Sequence, residues 1–340
     1  MADAPRTIEE FVRALPTVEL HVHLEGSMWP STAKALADRH DIPEIPRTEE
    51  DLRRWFTFRD FAHFIEVYLT SIGVLRDAED FARLAYDSLT ELATHGVPYT
   101  EMHVSLFGHL MRGIDAAAVI EGLEEGRRRA EAESGIVARW IPDFPGDFGV
   151  EAADRTLDAV LAHRTESIVG FGIGGIEVPR GPFRDVFARA RAHGLHSIPH
   201  AGETGGPEQV WSALHDLGAE RIGHGIAAAA DPDLMTYLAD RGIAVDVSPT
   251  SNLRTRVVER LEDHPLPRLL AAGVPVTINS DDPSMFGTDL TREYLAAHRL
   301  GLDAEALRAA ARTAVDASFA DAATRDRIHA ALEAVPAPHV

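Results

Sequence analysis

Short apolar runs bounded by Gly, Pro or Asp alternate along the chain with stretches whose apolar residues recur every three or four positions. The first pattern belongs to buried strands and the second to helices packed against them, so the alternation predicts a parallel sheet with helices outside. Eight strand-like runs are readable: Val18–Glu25, Tyr99–Phe107, Ile136–Phe144, Ile168–Gly174, Leu195–His200, Arg221–Gly225, Ile243–Ser248 and Val276–Asp281. The stretches GPEQVWSALHDLG and DPDLMTYLADRG open near Pro or Asp and close at Gly, as helix start and stop signals require. Eight βα units close into a barrel more readily than they form an open sheet. The expectation is an α/β protein: a single (β/α)8 TIM barrel, with residues 1–340 forming one domain. Residues 26–98 exceed a normal connection and predict a helical insertion over the barrel mouth, a place where long insertions are often functional. The Ala-rich tail after Leu302 predicts C-terminal helices. No internal repeat, low-complexity linker or composition shift marks a second domain.

A 340-residue chain that is 45% hydrophobic can bury a large core. It has no cysteine, which excludes disulfides, thiolate metal clusters and cysteine nucleophiles together. Its 33 basic against 54 acidic side chains give a net charge of -21, which argues against nucleic acid or an anionic membrane as partner and favours a small molecule. No run approaches the ~18 apolar residues of a membrane helix, and MADAPRTIEEFVRALP lacks the features of a signal peptide. Cytoplasmic residence is expected, and the pattern does not specify an oligomeric state.

The chemistry begins in VELHVHLEG. Side chains two apart on a strand share a face, so His21, His23 and Glu25 would point one way and Leu20, Val22 and Leu24 the other. Barrel interiors are normally filled by branched apolar side chains, and two inward imidazoles need a partner that a divalent metal can be. A lone His-x-His is weak, since a satisfied core pair looks the same. Polar residues recur, however, on other strands: His196 and His200 on the fifth, His224 closing the sixth, and Thr277, Asn279 and Asp281 on the eighth. Gathered at C-terminal strand ends, such residues predict an active site. No G-x-S-x-G elbow, P-loop or dinucleotide fingerprint competes.

The ordered set HVHLEG, HAGET, GAERIGHG, SPTSN and NSDDP resembles the adenosine deaminase family of the amidohydrolase superfamily over nearly the whole chain. By matching positions, the resemblance implies metal ligands His21, His23, His200 and Asp281. It puts Glu203 and His224 in proton-transfer and water-orienting roles, and Asp281 beside the same water. It sets Asp282 opposite the purine N7 and offers the Gly175 N–H to the ring. Three imidazoles and a carboxylate suit Zn²⁺ with a position left for water. Two-metal relatives bridge their ions with a fourth-strand lysine, but the lysine of this chain is Lys34 and that strand reads IVGFGIGG, so one Zn²⁺ per chain is expected.

The implied reaction replaces the 6-amino group of an adenine-type nucleoside with oxygen and releases ammonia. Relatives specific for adenosine usually carry Asp where this chain has Glu25, at the position associated with the ribose 5′-hydroxyl. FRDFAHFIEVY and SPTSNLRT look similar to the branch acting on 6-aminodeoxyfutalosine in menaquinone biosynthesis, with adenosine next. An adenine deaminase, or another superfamily metallohydrolase, is the alternative. A benzoate-bearing substrate in so acidic a protein would call for an arginine, whose planar fork matches a carboxylate; Arg254 and Arg59 are the candidates.

Overall fold

The computed structural model describes residues 5–338; the first four and last two residues of the expected 1–340 domain lie outside the described residues. Eight parallel strands stand in sequence order: β1 Glu19–His23, β2 Tyr99–Val104, β3 Val137–Pro145, β4 Gly170–Gly174, β5 His196–Ala201, β6 Arg221–His224, β7 Ala244–Val247 and β8 Val276–Ile278. Each overlaps its predicted run, and helices connect them, so the fold is the expected (β/α)8 barrel. Helix punctuation follows the sequence. Asp231 caps Pro232–Arg241 by accepting from Asp233 N and Leu234 N, and Gly242 ends that helix in the left-handed region at φ 65°.

Closure between β8 and β1 depends on a side chain. Asn279 Oδ1 accepts both the Leu20 and His21 N–H groups at 2.9 and 3.1 Å, replacing backbone bonds where β8 has already ended. Beyond it, His23 N donates to Asp281 O at 2.7 Å and Asp281 N to His21 O at 3.1 Å, which fastens the two strand ends together. Asn279 and Thr277 thus belong to the barrel frame: Asn279 Nδ2 donates to Thr277 Oγ1, which donates to Asp246.

The lower interior holds a buried charge cluster. Arg221 contacts Asp246 at 2.8 Å and Glu101 at 2.7 Å, and donates to the carbonyls of Leu20 and Ala317. Burial pushes Asp246 up to about 6 even against the charge of Arg221 and the hydrogen bond from Thr277. The C-terminal segment seals this end, because Phe319 N donates to Glu101 and the Phe319 ring stacks on His196 at 3.6 Å.

The long first connection contains helices Pro30–Arg39, Glu49–Trp55, Phe61–Ser71 and Ala78–Thr94. The last packs against Ala116–Ser134 so closely that a Cβ at Gly122 would meet Ala78 O at 2.3 Å. The tail forms Ala304–Ala317 and Ala322–Ala334, as its composition predicts. No helix among the described residues is long and apolar enough to cross a membrane.

Replacing Arg221 by Met leaves Glu101 and Asp246 buried without their cation, and truncating one partner of such a pair typically costs about 3–5 kcal/mol. Urea denaturation of R221M should show a stability loss of that order. A loss below about 1 kcal/mol would mean that the cluster neutralises itself by other means.

Candidate active site

The C-terminal strand ends bring together nearly every side chain that the motifs single out. His21 and His23 leave β1 toward the barrel axis, His200 comes from β5, and His224 closes β6. Asp281 follows β8. His224 and Asp281 both adopt left-handed backbone conformations, φ 59° and 65°, which cost a non-glycine residue about 1–3 kcal/mol each and concentrate at functional sites. The barrel interior makes room for the rings by omission: a Cβ at Gly223 would stand 2.7 Å from His21 Cε1 and 3.2 Å from His200 Cγ.

The heteroatoms of these groups converge. His23 Nε2 and His200 Nε2 are 3.1 Å apart, and Asp281 Oδ1 lies 3.4 Å from His23 Nε2 and 3.6 Å from His21 Nε2. Ligand atoms of His21, His200 and His224 lie within 4.8 Å of one another, as do those of His21, His23 and Asp281. Neither ring nitrogen of His21 has a hydrogen-bond partner, although the residue is fully buried. Burial lowers His21 to about 3 and holds His23 and His200 below the ordinary imidazole value, so all three rings are neutral. Burial alone would raise Asp281, but the close approach of His21 and the other nearby imidazoles outweighs that and holds its pKa well below the usual carboxylate value.

Supporting contacts set the orientations. His200 Nδ1 faces the Ile173 carbonyl at 3.0 Å, which leaves Nε2 as a lone pair aimed at the cluster, and Ser251 Oγ donates to Asp281 Oδ2 at 2.6 Å. Neutral imidazole nitrogens and a carboxylate that converge on one point, with His21 left unpartnered among them, fit a divalent cation. Protons alone would leave His21 unsatisfied.

Around the cluster lie Glu203 and His224, for which the family resemblance implies proton transfer. Glu203 Oε2 is 3.5 Å from His224 Nε2, which is 3.8 Å from Asp281 Oδ2. Burial, reinforced by the charges of Asp281 and Glu177, pushes Glu203 well above the usual carboxylate range. Burial and the adjacent Asp281 do the same to Asp282, whose Oδ1 has no partner. Both carboxyls are therefore biased toward their protonated forms.

A cavity opens above these residues. Its floor is His23, His200, Glu203, His224, Asp281 and Asp282, and Gly174, Gly175, Asp143 and Ser105 border it. Its outer wall is apolar, formed by Phe61, Phe64, Ile65, Leu69 and Ile72 of the first connection together with Phe148 and Ile176.

Three expectations need correction. Glu25 does not share a strand face with His21 and His23, because β1 ends at His23 and Glu25 opens a 3-10 turn. That turn lies so close to Asp282 that a Cβ at Gly26 would meet its Oδ1 at 1.7 Å. Glu25 is buried outside the cavity lining, 2.8 Å from His109 Nε2, and it accepts from Ser105 N and the Tyr68 hydroxyl. His196 points away from the site: four residues at ~3.3 Å each put it ~13 Å below His200, at the barrel's opposite end. Arg254 and Arg59 are exposed and outside the lining, which contains no arginine or lysine; Arg254 Nε donates to Phe286 O instead.

The motifs also miss several residues. Glu177, two positions past Gly175, is a clamp on the loop after β5: its carboxylate accepts from the backbone N–H groups of Gly202, Glu203, Thr204 and Gly205 at 2.7–3.2 Å. Burial opposes its ionisation, but those N–H bonds and the nearby Arg180 charge outweigh it and lower its pKa. No periodic signal announces Glu177. His103 is different, since YTEMHVS alternates Glu101, His103 and Ser105 in the same way that VELHVH alternates its histidines.

With this geometry in view, comparison with known proteins is specific. The adenosine deaminase family model matches residues 16–335. The chain is 48% identical to an aminodeoxyfutalosine deaminase of Streptomyces coelicolor, covering 96% of this chain and 86% of the relative, and 40% identical to an adenine deaminase of Rhodospirillum rubrum, covering 96% and 98%. An amidohydrolase structure from Burkholderia ambifaria with bound zinc superposes with a TM-score of 0.88 at 28% identity, covering 97% of this chain and 95% of that one. Match length, motif order and the convergence of the strand-end residues agree: the chain belongs to the adenosine deaminase family, whose members are metal-dependent deaminases.

Proposed function

We propose that the protein is a zinc-dependent deaminase of 6-aminodeoxyfutalosine. The observation that carries the substrate is the cavity's division into a polar floor and an apolar mouth. Of five large hydrophobic side chains that stand exposed among the described residues, three rim this cavity: Leu69 at 41%, Phe148 at 44% and Ile176 at 49%. Exposed apolar groups clustered at one opening mark a binding surface. They suit an adenine nucleoside whose 5′ side carries an aromatic extension better than a free base, which needs only the floor. Similarity to the Streptomyces relative, higher than that to the Rhodospirillum adenine deaminase, supports the same choice. With no arginine or lysine in the lining, this reading has the extension's carboxylate face solvent at the mouth.

His21, His23, His200 and Asp281 would hold one Zn²⁺, and the zinc in the Burkholderia structure supports that metal. When bound, the ion supplies Lewis acidity that makes water a nucleophile near neutral pH. The protein's own groups do the rest. Protonated Glu203 delivers its proton to the purine N1 as water adds at C6, which lets the ring accept the incoming electron pair. His224, between Glu203 and Asp281, takes the proton lost by the water. His224 then passes its proton to the amino group, the C6 hydroxyl returns one to Glu203 as the carbonyl forms, and the C6–N bond breaks to release ammonia. Protonated Asp282 donates to N7, and the Gly175 N–H meets the ring from the side. Glu177 positions Glu203 by fixing the backbone of its loop, and the helix Phe61–Ser71 covers the mouth.

The reading is tested by ammonia release from 6-aminodeoxyfutalosine, adenosine and adenine. The kcat/KM should be highest for 6-aminodeoxyfutalosine by at least about tenfold, a difference of ~1.4 kcal/mol in transition-state binding. A preference for adenine would overturn it.

Glu203→Gln keeps the shape but has no proton to give, so kcat should fall at least ~10²-fold with metal content unchanged. Glu177→Ala should lower kcat as well while sparing metal content, because it releases the loop and not the ligands. Normal turnover in either variant removes that residue from its role.

A further inference from the structure

Two buried residues beside the cavity have no part in the metal set or the proton transfers. Asp143, near the end of β3, lines the cavity, and its Oδ2 lies 3.3 Å from Nδ1 of His103 on the adjacent β2. The strands pair in register, His103 opposite Ile141 and Val104 opposite Pro142, which brings the two side chains together inside the barrel. His103 is fully buried, and its Nε2 has no partner. Its ring lies 5.0 Å from those of His21, His23 and His200, yet it joins neither group of atoms that converges on the candidate metal position. The pair is thus built into the site without serving the ion. Room is kept for it: a Cβ at Gly172 would stand 3.1 Å from Asp143 Cβ and 3.3 Å from His103 Nδ1.

The position of Asp143 narrows what it can touch. On one side is Gly174, whose absent Cβ would lie 3.9 Å from Asp143 Oδ2, and then Gly175, assigned above to the purine ring. On the other are Ser105 and, behind it, Glu25, at the position associated with the ribose 5′-hydroxyl. Between the ring and the 5′ carbon of a nucleoside lies the pentose, whose 2′- and 3′-hydroxyls both donate and accept, so a buried carboxyl group pairs with them in either protonation state. We propose that Asp143 is the specificity-determining hydrogen-bond partner of a pentose hydroxyl of the substrate, and that His103 is a positioning residue which holds the carboxyl group toward it. The proposal rests on the nucleoside reading and deepens it. It gives the site a means of favouring a nucleoside over a free base, because a hydroxyl that pairs with a buried carboxyl group is selected far more strongly than one that meets an apolar wall.

The test compares adenosine with 2′-deoxyadenosine and 3′-deoxyadenosine in the zinc-loaded enzyme and in four variants. The unaltered enzyme should prefer adenosine over one of the deoxy analogues by about 10- to 100-fold in kcat/KM, the range for leaving a buried hydrogen-bonding group without its partner. In Asp143→Ala the preference should collapse to within about threefold, chiefly through a higher KM for adenosine, and Asp143→Asn should retain part of it. His103→Leu should lose much of the preference and His103→Asn, which keeps a donor at the Nδ1 position, should restore it. An unaltered preference in Asp143→Ala, equal losses on all three nucleosides, or no discrimination by the parent enzyme would overturn the assignment. Turnover of adenine with none of any adenine nucleoside would instead overturn the nucleoside reading itself, and the assignment with it.

Discussion

Lone pairs from three strand ends point at one another inside the barrel, and the rest of the structure depends on resolving that conflict. His21, His23, His200 and Asp281 crowd within hydrogen-bond range without enough hydrogens to satisfy them. Burial keeps the rings neutral, so protonation does not supply the missing positive charge. A divalent ion would, and it would change the charge that the neighbouring groups feel. Asp281 is held low beside the imidazoles while Asp282, one residue on, is pushed up by burial and by Asp281's charge. Adjacent carboxyls thereby have opposite protonation preferences.

The frame that maintains this arrangement is polar where most barrels are apolar. Asn279 closes β8 onto β1 through the backbone that carries His21, and Arg221 with Glu101 and Asp246 fills the layer below. Asp246 Oδ2 stands 4.0 Å from His21 Nδ1, so the same carboxylate faces both the structural arginine and the back of the His21 ring. Stability and site geometry therefore share residues. The left-handed turns at His224 and Asp281 are strained conformations that persist because neighbouring strands pin them, as His23 N pins Asp281 O.

Much of this was legible in the sequence because strands announce themselves by period. Alternation placed His21 and His23 on the lumen face, and the order of the five motifs assembled His200, His224, Asp281 and Asp282 at one end of the barrel. Period says which side a residue faces but not how high it stands or where a strand stops. His196 was therefore read into the site from the wrong end of β5, and Glu25 onto a strand that ends two residues earlier. Charge reasoning failed for Arg254 and Arg59, since proximity in sequence to a motif does not bring a side chain into a cavity. Glu177 was invisible, because its role arises from four N–H groups that a loop turns toward it only in the folded chain.

One metal ion is expected where these strand ends converge, and anomalous diffraction at the zinc absorption edge would locate it. Crystals of the purified protein should show a single strong peak within about 2.0–2.2 Å of nitrogens of His21, His23 and His200 and an oxygen of Asp281. A data set with no peak there, or with the metal held at the acidic surface cluster of His40, Asp77 and Asp80 instead, would contradict the account.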